Sequence, residues 1–210
     1  MWFPEKSVLS GVVFAARGFL ACCVLLATTV SVFAAPPAVV GTCVECHGDD
    51  GMGQGNPMVP VIAGIPAGHI EQAIYAYVDG ARHCVREPRM CATVAALSEV
   101  EVTAVAGWYA LQQRGSPREE FDPTLAAEGE RLHQQHCSNC HLPPDHRDVA
   151  DAIGFPLHGQ RSEYLRYAIE AYFSGEREAL VEVMADQIRS LRPGDLSALA
   201  NYYSSYRAED

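Results

Sequence analysis

Two pentapeptides in the sequence combine the residue types that attach and ligate a haem. "CVECH" covers residues 43–47 and "CSNCH" covers residues 137–141. Two thiols one helical turn apart can each form a thioether to the edge of a porphyrin, and the histidine that follows is then held beneath the ring, where its imidazole binds iron. The motifs therefore predict two covalently bound haem c groups. The predicted attachment residues are Cys43, Cys46, Cys137 and Cys140, and the predicted iron ligands are His47 and His141.

A zinc site is the alternative use of the same cysteines. The two Cys-x-x-Cys pairs together have the composition of a four-cysteine structural zinc site. Such a site leaves both motif histidines without a role, so the haem interpretation is preferred.

The sixth iron ligand is predicted from a repeated spacing. Met90 and Met184 each lie 43 residues after the histidine of their motif. Met184 is the only methionine of the second copy, whereas the first copy also contains Met52 and Met58. Met52 follows its motif too closely to cross to the opposite haem face, Met58 stays open as an alternative, and the shared spacing favours Met90.

A second histidine is the alternative sixth ligand. None of the remaining histidines recurs at a common offset in both copies, which argues against bis-histidine haems. His133 and His136 are predicted instead on the solvated face of a helix. Met/His ligation raises the reduction potential relative to bis-histidine ligation and fills both axial positions, which suits electron transfer.

Apolar residues repeat around these motifs and predict a middle helix and a terminal helix in each copy. The spacing i, i+3, i+4, i+7 occurs in a middle helix at an offset of 95 residues and in a terminal helix at an offset of 94. Ser98 with Glu101 predicts a capping box, and Pro193 predicts a first helical turn. The paired faces are Ile70, Ala73, Ile74, Tyr77 with Leu165, Ala168, Ile169, Tyr172, and Val102, Val105, Ala106, Tyr109 with Leu196, Leu199, Ala200, Tyr203.

This internal duplication predicts an all-α protein of two tandem domains. We expect domain 1 over residues 35–112, a linker over 113–123 that is rich in Gly, Pro and charge, and domain 2 over 124–210. Domains this small seldom bury enough apolar surface unaided, and a covalent haem would complete the core of each.

Residues 1–34 predict a secretory signal peptide. Lys6 and Arg17 form a basic region, an apolar run follows from Gly18, and cleavage after Ala34 fits the small residues there. A retained membrane anchor and, more weakly, a lipoprotein site at Cys22 are the alternatives. The prediction places the mature protein in the periplasm, with membrane association only if the segment is retained.

The charge balance limits the partners. The chain has 15 Lys+Arg against 26 Asp+Glu, a formal net charge of −11. This disfavours nucleic acid, whose phosphates require basic side chains, and favours proteins that present basic surfaces.

Two further cysteines, Cys84 and Cys91, flank Met90 and have no counterpart in the second copy. In an oxidising compartment they are the only pair not committed to haem, which favours a disulfide that closes the loop presenting Met90. A Cys91 thiolate bound to iron in place of the methionine and two free thiols without a role stay open as alternatives.

The sequence resembles the dihaem class I cytochromes c of the c4 type. The resemblance is carried by "CVECHGDDG", by the Gly-x-Arg after each middle helix, and by a methionine followed seven residues later by leucine and an amphipathic helix. It covers nearly all of the chain after residue 34 and implies two monohaem class I folds, packed face to face, that pass single electrons. "FDPTLAAEGERLHQQHCSNCH" is also similar to the dihaem subunit of flavocytochrome c sulfide dehydrogenases.

The sequence departs from this family in three places. In the first copy, only the short segment of residues 35–42 precedes Cys43. The second copy has "CHLPPDH" where the first has the glycine-rich "CHGDDGMG", and the first copy alone has the extra cysteine pair. The first departure predicts that most of an amino-terminal helix is missing there. Arg82 and Arg177, two residues after Gly80 and Gly175, are candidates to neutralise haem propionates or are simply solvated.

Three functions are compatible with these features. The first is a non-enzymatic carrier that passes electrons towards a respiratory acceptor such as a terminal oxidase. The second is the electron-accepting subunit of a flavocytochrome c sulfide dehydrogenase. The third is a thiosulfate-oxidising dihaem enzyme with cysteine as an axial ligand. The expected partners are therefore redox proteins: a terminal oxidase, a reductase complex or a flavoprotein subunit.

Overall fold

The computed structural model describes residues 35–207, and the predicted signal peptide and its cysteines lie outside the described residues. Within this range the regular structure is helical, with a single isolated antiparallel bridge between Arg82 and Arg177. The helices are α1 (Gly41–His47), α2 (Ala67–Val78), α3 (Pro88–Val94), α4 (Glu99–Ala110), α5 (Pro123–His136), α6 (Ser162–Ser174), α7 (Glu182–Ser190) and α8 (Pro193–Ser205). Short 3₁₀ turns cover Ala38–Val40, Gly53–Gly55 and Val149–Asp151.

The helices confirm the internal repeat. Helices α2 and α6 start 95 residues apart, whereas α3 and α7, and likewise α4 and α8, start 94 residues apart. The predicted faces of the terminal helices are buried, because Val102, Val105, Ala106 and Tyr109 in α4 and their counterparts in α8 all face the interior. Each copy has its own apolar core.

The predicted helix starts are also confirmed. The Ser98 hydroxyl accepts from the Glu101 N–H, and the Glu101 carboxylate accepts from the Ser98 N–H at 2.9 Å, so α4 begins with a capping box. Pro193 is the first residue of α8. Proline costs no hydrogen bond at that position, since the first amides of a helix have no partner inside it.

The amino-terminal segments of the two copies differ as expected. Helix α5 has 14 residues and packs along α8, whereas the described residues ahead of Cys43 form only a 3₁₀ turn and the start of α1. Gly129 lies where α5 crosses α8, and a Cβ there would collide with the backbone of Ala198 and lie 2.6 Å from Tyr202 Cβ. The close crossing therefore requires glycine.

Between residues 35 and 207, no single helix has the length and apolar character to cross a membrane. The bent pair α3 and α4 passes the same test only when the two helices are taken together.

Candidate haem sites

The structure fixes the orientation of the second motif histidine. His141 is buried, and its Nδ1 lies 2.8 Å from the carbonyl oxygen of Phe155. Since a carbonyl can only accept, Nδ1 must donate and Nε2 keeps its lone pair, which is the tautomer that binds metal through Nε2. A Cβ on Gly154 would lie 2.5 Å from this Nδ1, so the ring rests directly on glycine backbone.

The first motif histidine also has a backbone carbonyl beside its ring, but its Nδ1 forms no hydrogen bond. His47 Nδ1 is buried without a hydrogen-bond partner. Burial lowers the pKa of His47 and the backbone of Pro60 opposes this shift. Pro60 has no N–H, so its carbonyl is the group that faces the ring. Pro60 and Phe155 are 95 residues apart, which makes the two arrangements equivalent. Burial likewise lowers the pKa of His141, so both imidazoles are neutral and suited to iron.

Two equivalent tyrosines fasten the last turns of α4 and α8 near the motifs. Tyr109 is fully buried, and its hydroxyl donates to the carbonyl of Gly48, directly after the first motif, at 3.0 Å. Tyr203, 94 residues later, lies beside Cys137 of the second motif, and burial raises its pKa well above the usual range. Both helices therefore position a haem-binding motif through a buried hydroxyl.

The prediction that His133 lies on a solvated face is wrong. His133 is 3% exposed, and its Nδ1 lies 3.0 Å from the Tyr203 hydroxyl. His158 is equally buried, and the two rings meet edge to face with centroids 5.0 Å apart. The tyrosine hydroxyls of α8 supply hydrogen-bond partners, which offset the cost of burying the two imidazoles. His136 is half-buried, with its Nδ1 2.7 Å from Gln187 Oε1 of α7.

The two predicted methionine ligands occupy equivalent short helices. Met90 lies on α3 and packs against the first core, which Cys43 also contacts. Met184 lies on α7 and is partly buried. A cleft of about 300 Å³ opens beside α7, lined by Tyr172, Phe173, Ala179, Ala185, Ile188 and Arg189. The thioether of the alternative ligand Met52 lies close to Gly115. Its atoms are the nearest ones that a Cβ on that glycine would meet.

Cys84 and Cys91 form a disulfide, which confirms the favoured interpretation of this pair. Their Cα atoms are 5.9 Å apart. The segment is not the plain loop we expected, because Pro88 and the Glu87 cap start a helix that carries both Met90 and Cys91. The disulfide leaves no Cys91 thiolate to replace the methionine.

None of the four motif cysteines takes part in a disulfide. Among residues 35–207, no three His, Cys, Asp or Glu side chains come together to hold a metal ion, so the four-cysteine zinc site is not formed. In each copy the two motif cysteines precede a buried histidine with a backbone carbonyl beside its ring, and this arrangement fits covalent haem attachment.

The residues after the middle helices join the two copies. Arg82 and Arg177 pair as an antiparallel bridge, flanked by His83 N–H to Glu176 O and Glu178 N–H to Ala81 O, both 2.8 Å. Arg177 is 5% exposed, so the solvated alternative is wrong for it. Because equivalent residues pair, a local two-fold axis passes between them.

Sequence reasoning missed other contacts between the copies. The buried Gln160 amide accepts from Val61 N–H at 2.7 Å and donates to Val61 O at 2.6 Å. His69 Nε2 lies 2.9 Å from Ala152 O. Gln160 has Ile65 as its counterpart in the first copy, so the repeat offered no signal for this contact.

No protein-family model matches the chain. It is 33% identical over 155 residues to the thiosulfate dehydrogenase electron acceptor of Thiomonas intermedia (strain K12), covering 69% of each protein. It is 30% identical over 182 residues to the protein of the same name from Stutzerimonas stutzeri (strain A1501), covering 81% of each.

Two solved structures share the fold. The reduced recombinant cytochrome c4 of Pseudomonas stutzeri matches with a TM-score of 0.63 and 24% identity, over 79% of this chain and 93% of that one. The thiosulfate dehydrogenase of Marichromatium purpuratum matches with a TM-score of 0.63 and 25% identity, over 78% of this chain and 36% of that longer one.

Proposed function

Because this chain belongs to the dihaem class I cytochromes c of the c4 type, we propose that it accepts single electrons from a thiosulfate-oxidising enzyme in the periplasm and passes them towards a respiratory acceptor such as a terminal oxidase. It is an electron carrier with two covalently bound haem c groups.

The haem irons, when bound, supply one-electron Fe(III)/Fe(II) chemistry. We assign attachment to Cys43 and Cys46 in the first copy and to Cys137 and Cys140 in the second. His141 would ligate iron through Nε2, because the Phe155 carbonyl accepts from its Nδ1, and His47 would do the same at the equivalent position, where the Pro60 carbonyl lies beside the ring. Met90 and Met184 would be the other protein ligands of the two irons. A haem iron held by two side chains of this chain would serve electron transfer rather than substrate chemistry.

The similarity over most of the chain to two proteins named as thiosulfate dehydrogenase electron acceptors carries this proposal. The acidic chain, with a net charge of −11, suits a donor with a basic contact surface. The Cys84–Cys91 disulfide agrees with an oxidising compartment.

The rival functions are supported less well. The enzymatic alternative was predicted with Cys91 as an iron ligand, and Cys91 is bonded to Cys84 instead. The role as a subunit of a flavocytochrome c sulfide dehydrogenase rests on the resemblance of the second motif region alone.

Anaerobic reduction assays test the proposal. The oxidised dihaem protein is mixed with thiosulfate and catalytic amounts of a thiosulfate dehydrogenase, and the haem absorbance is followed in time. We expect rapid reduction with the enzyme and none with thiosulfate alone. Reduction by thiosulfate without enzyme would favour the enzymatic alternative, and reduction only by sulfide with a flavoprotein would favour the sulfide dehydrogenase role.

A further inference from the structure

Arg114, in the segment between the two copies, contacts both copies at equivalent points. One guanidinium nitrogen donates to Ala63 O at 3.1 Å and the other to His158 O at 2.9 Å. Ala63 and His158 are 95 residues apart, the offset that relates helices α2 and α6. A single side chain therefore binds the same backbone position of both repeats.

The backbone around Arg114 is packed between two equivalent glycines. Gly64 and Gly159 have φ of +64° and +73°, where a side chain is strained, and their N–H groups donate to Tyr109 O at 2.9 Å and Tyr203 O at 2.8 Å. A Cβ on Gly64 would lie 2.9 Å from Arg114 Cβ, and one on Gly159 would lie 3.5 Å from Ser116 Oγ. The connecting segment thus runs directly between the two loops.

These loops are the ones that face the motif histidines. Phe155 O accepts from His141, and three residues later His158 O accepts from Arg114. Pro60 faces His47, and three residues later Ala63 O accepts from Arg114. Arg114 is therefore connected to both histidines through four-residue stretches of backbone.

Among residues 35–207, the group that interacts electrostatically with the charge of Arg114 is the Tyr206 phenol and not a carboxylate. Its hydrogen bonds go to backbone carbonyls, and its buried Nε has no partner. Burial lowers the pKa of Arg114 to about 10, so the group is still charged at neutral pH. A charge screened by little water and paired with no anion acts over a longer distance than an exposed one.

We infer that Arg114 is a positioning residue that holds both histidine-bearing loops from one shared point, and that its charge raises the reduction potentials of both haems together. The physical reason is that reduction adds an electron to each haem, and a nearby positive charge favours the reduced state. This inference needs the two haems but does not depend on which protein donates the electrons.

Spectroelectrochemical titration of R114Q tests the inference. We expect both midpoint potentials to shift downward relative to the wild-type protein. The matched control is R147Q, which removes the same charge from a side chain that is 89% exposed, and it should leave both potentials in place. A shift in one haem only, no shift, or an equal shift in R147Q would overturn the inference.

R114K decides the question if R114Q does not accumulate as a dihaem protein. A lysine at this buried position should lose its proton more readily than one in water. Both potentials of R114K should then fall together as the pH rises, and the fall should begin at a lower pH than in the wild-type protein, in which burial lowers the pKa of Arg114 only to about 10. Potentials of R114K that follow the wild-type pH dependence would contradict a shared electrostatic role.

Discussion

At the residue scale, the buried histidines His133 and His158 predict a loss of stability in mild acid. Burial lowers the pKa of each to about 4, against roughly 6.5 in an unfolded chain. Between these values the unfolded state binds more protons, so the free energy of unfolding falls as the pH drops from about 6.5 to about 4 and then levels off for these groups. The loss is on the order of 3 kcal/mol for each histidine.

Denaturant unfolding of the holoprotein across this pH range measures the effect. H158Q should reduce the slope of unfolding free energy against pH, because glutamine does not titrate and can still meet the Tyr202 hydroxyl that His158 Nε2 faces at 3.2 Å. The control is H83Q, since His83 is exposed. An H158Q slope equal to that of the wild-type protein would refute the assignment.

At the element scale, the crossing of α5 over α8 depends on Gly129. G129A should destabilise the second copy by about 1–3 kcal/mol, because the added methyl overpacks backbone that cannot move away locally. Thermal unfolding followed by circular dichroism measures this. G107A in α4 is the matched control, since a Cβ there meets nothing within 4 Å, and alanine should stabilise that helix by roughly 0.5–1 kcal/mol. Equal effects of the two variants would count against the close crossing.

The disulfide makes the two methionine-bearing helices differ. C84S/C91S should lower the stability of the first copy by at most about 3 kcal/mol, because the unfolded loop gains freedom. The absorption band of methionine-ligated ferric haem should then be lost in two steps during denaturation, with the first step earlier than in the wild-type protein. Helix α7 carries no disulfide and serves as the internal control. An unchanged first step would show that the disulfide does not hold α3.

The sequence predicted the helices of the repeat because their apolar spacing and caps are local properties, and two copies gave the same answer. The start of α4 at its capping box and of α8 at Pro193 are examples. The burial of His133 was missed because it depends on hydroxyls contributed by α8, about 70 residues away. Arg114 was missed for the same reason: its acceptors lie in two loops that only the folded chain brings together.

At the scale of the whole molecule, the copies share contacts but not ligands. The Gln160 side chain of the second copy forms a hydrogen bond with Val61 of the first, and the Arg82–Arg177 bridge lies on the local two-fold axis. Each proposed set of iron ligands comes from one copy alone. Substitutions of ligands should therefore act on one haem, whereas substitutions at the shared contacts should act on both.

Matched ligand variants separate these two classes of effect. M184H should lower the potential of one haem, since replacing a thioether by imidazole favours the oxidised iron, and should leave the other almost unchanged. M90H should do the same to the other haem. Redox titration followed by absorbance resolves the two transitions, and M52H is the control, because Met52 is proposed not to be a ligand.

If M184H shifted both haems equally, either the assignment of Met184 or the separation of the two ligand sets would be wrong. If M52H lowered a potential as M90H should, Met52 would replace Met90 as the sixth ligand of the first copy.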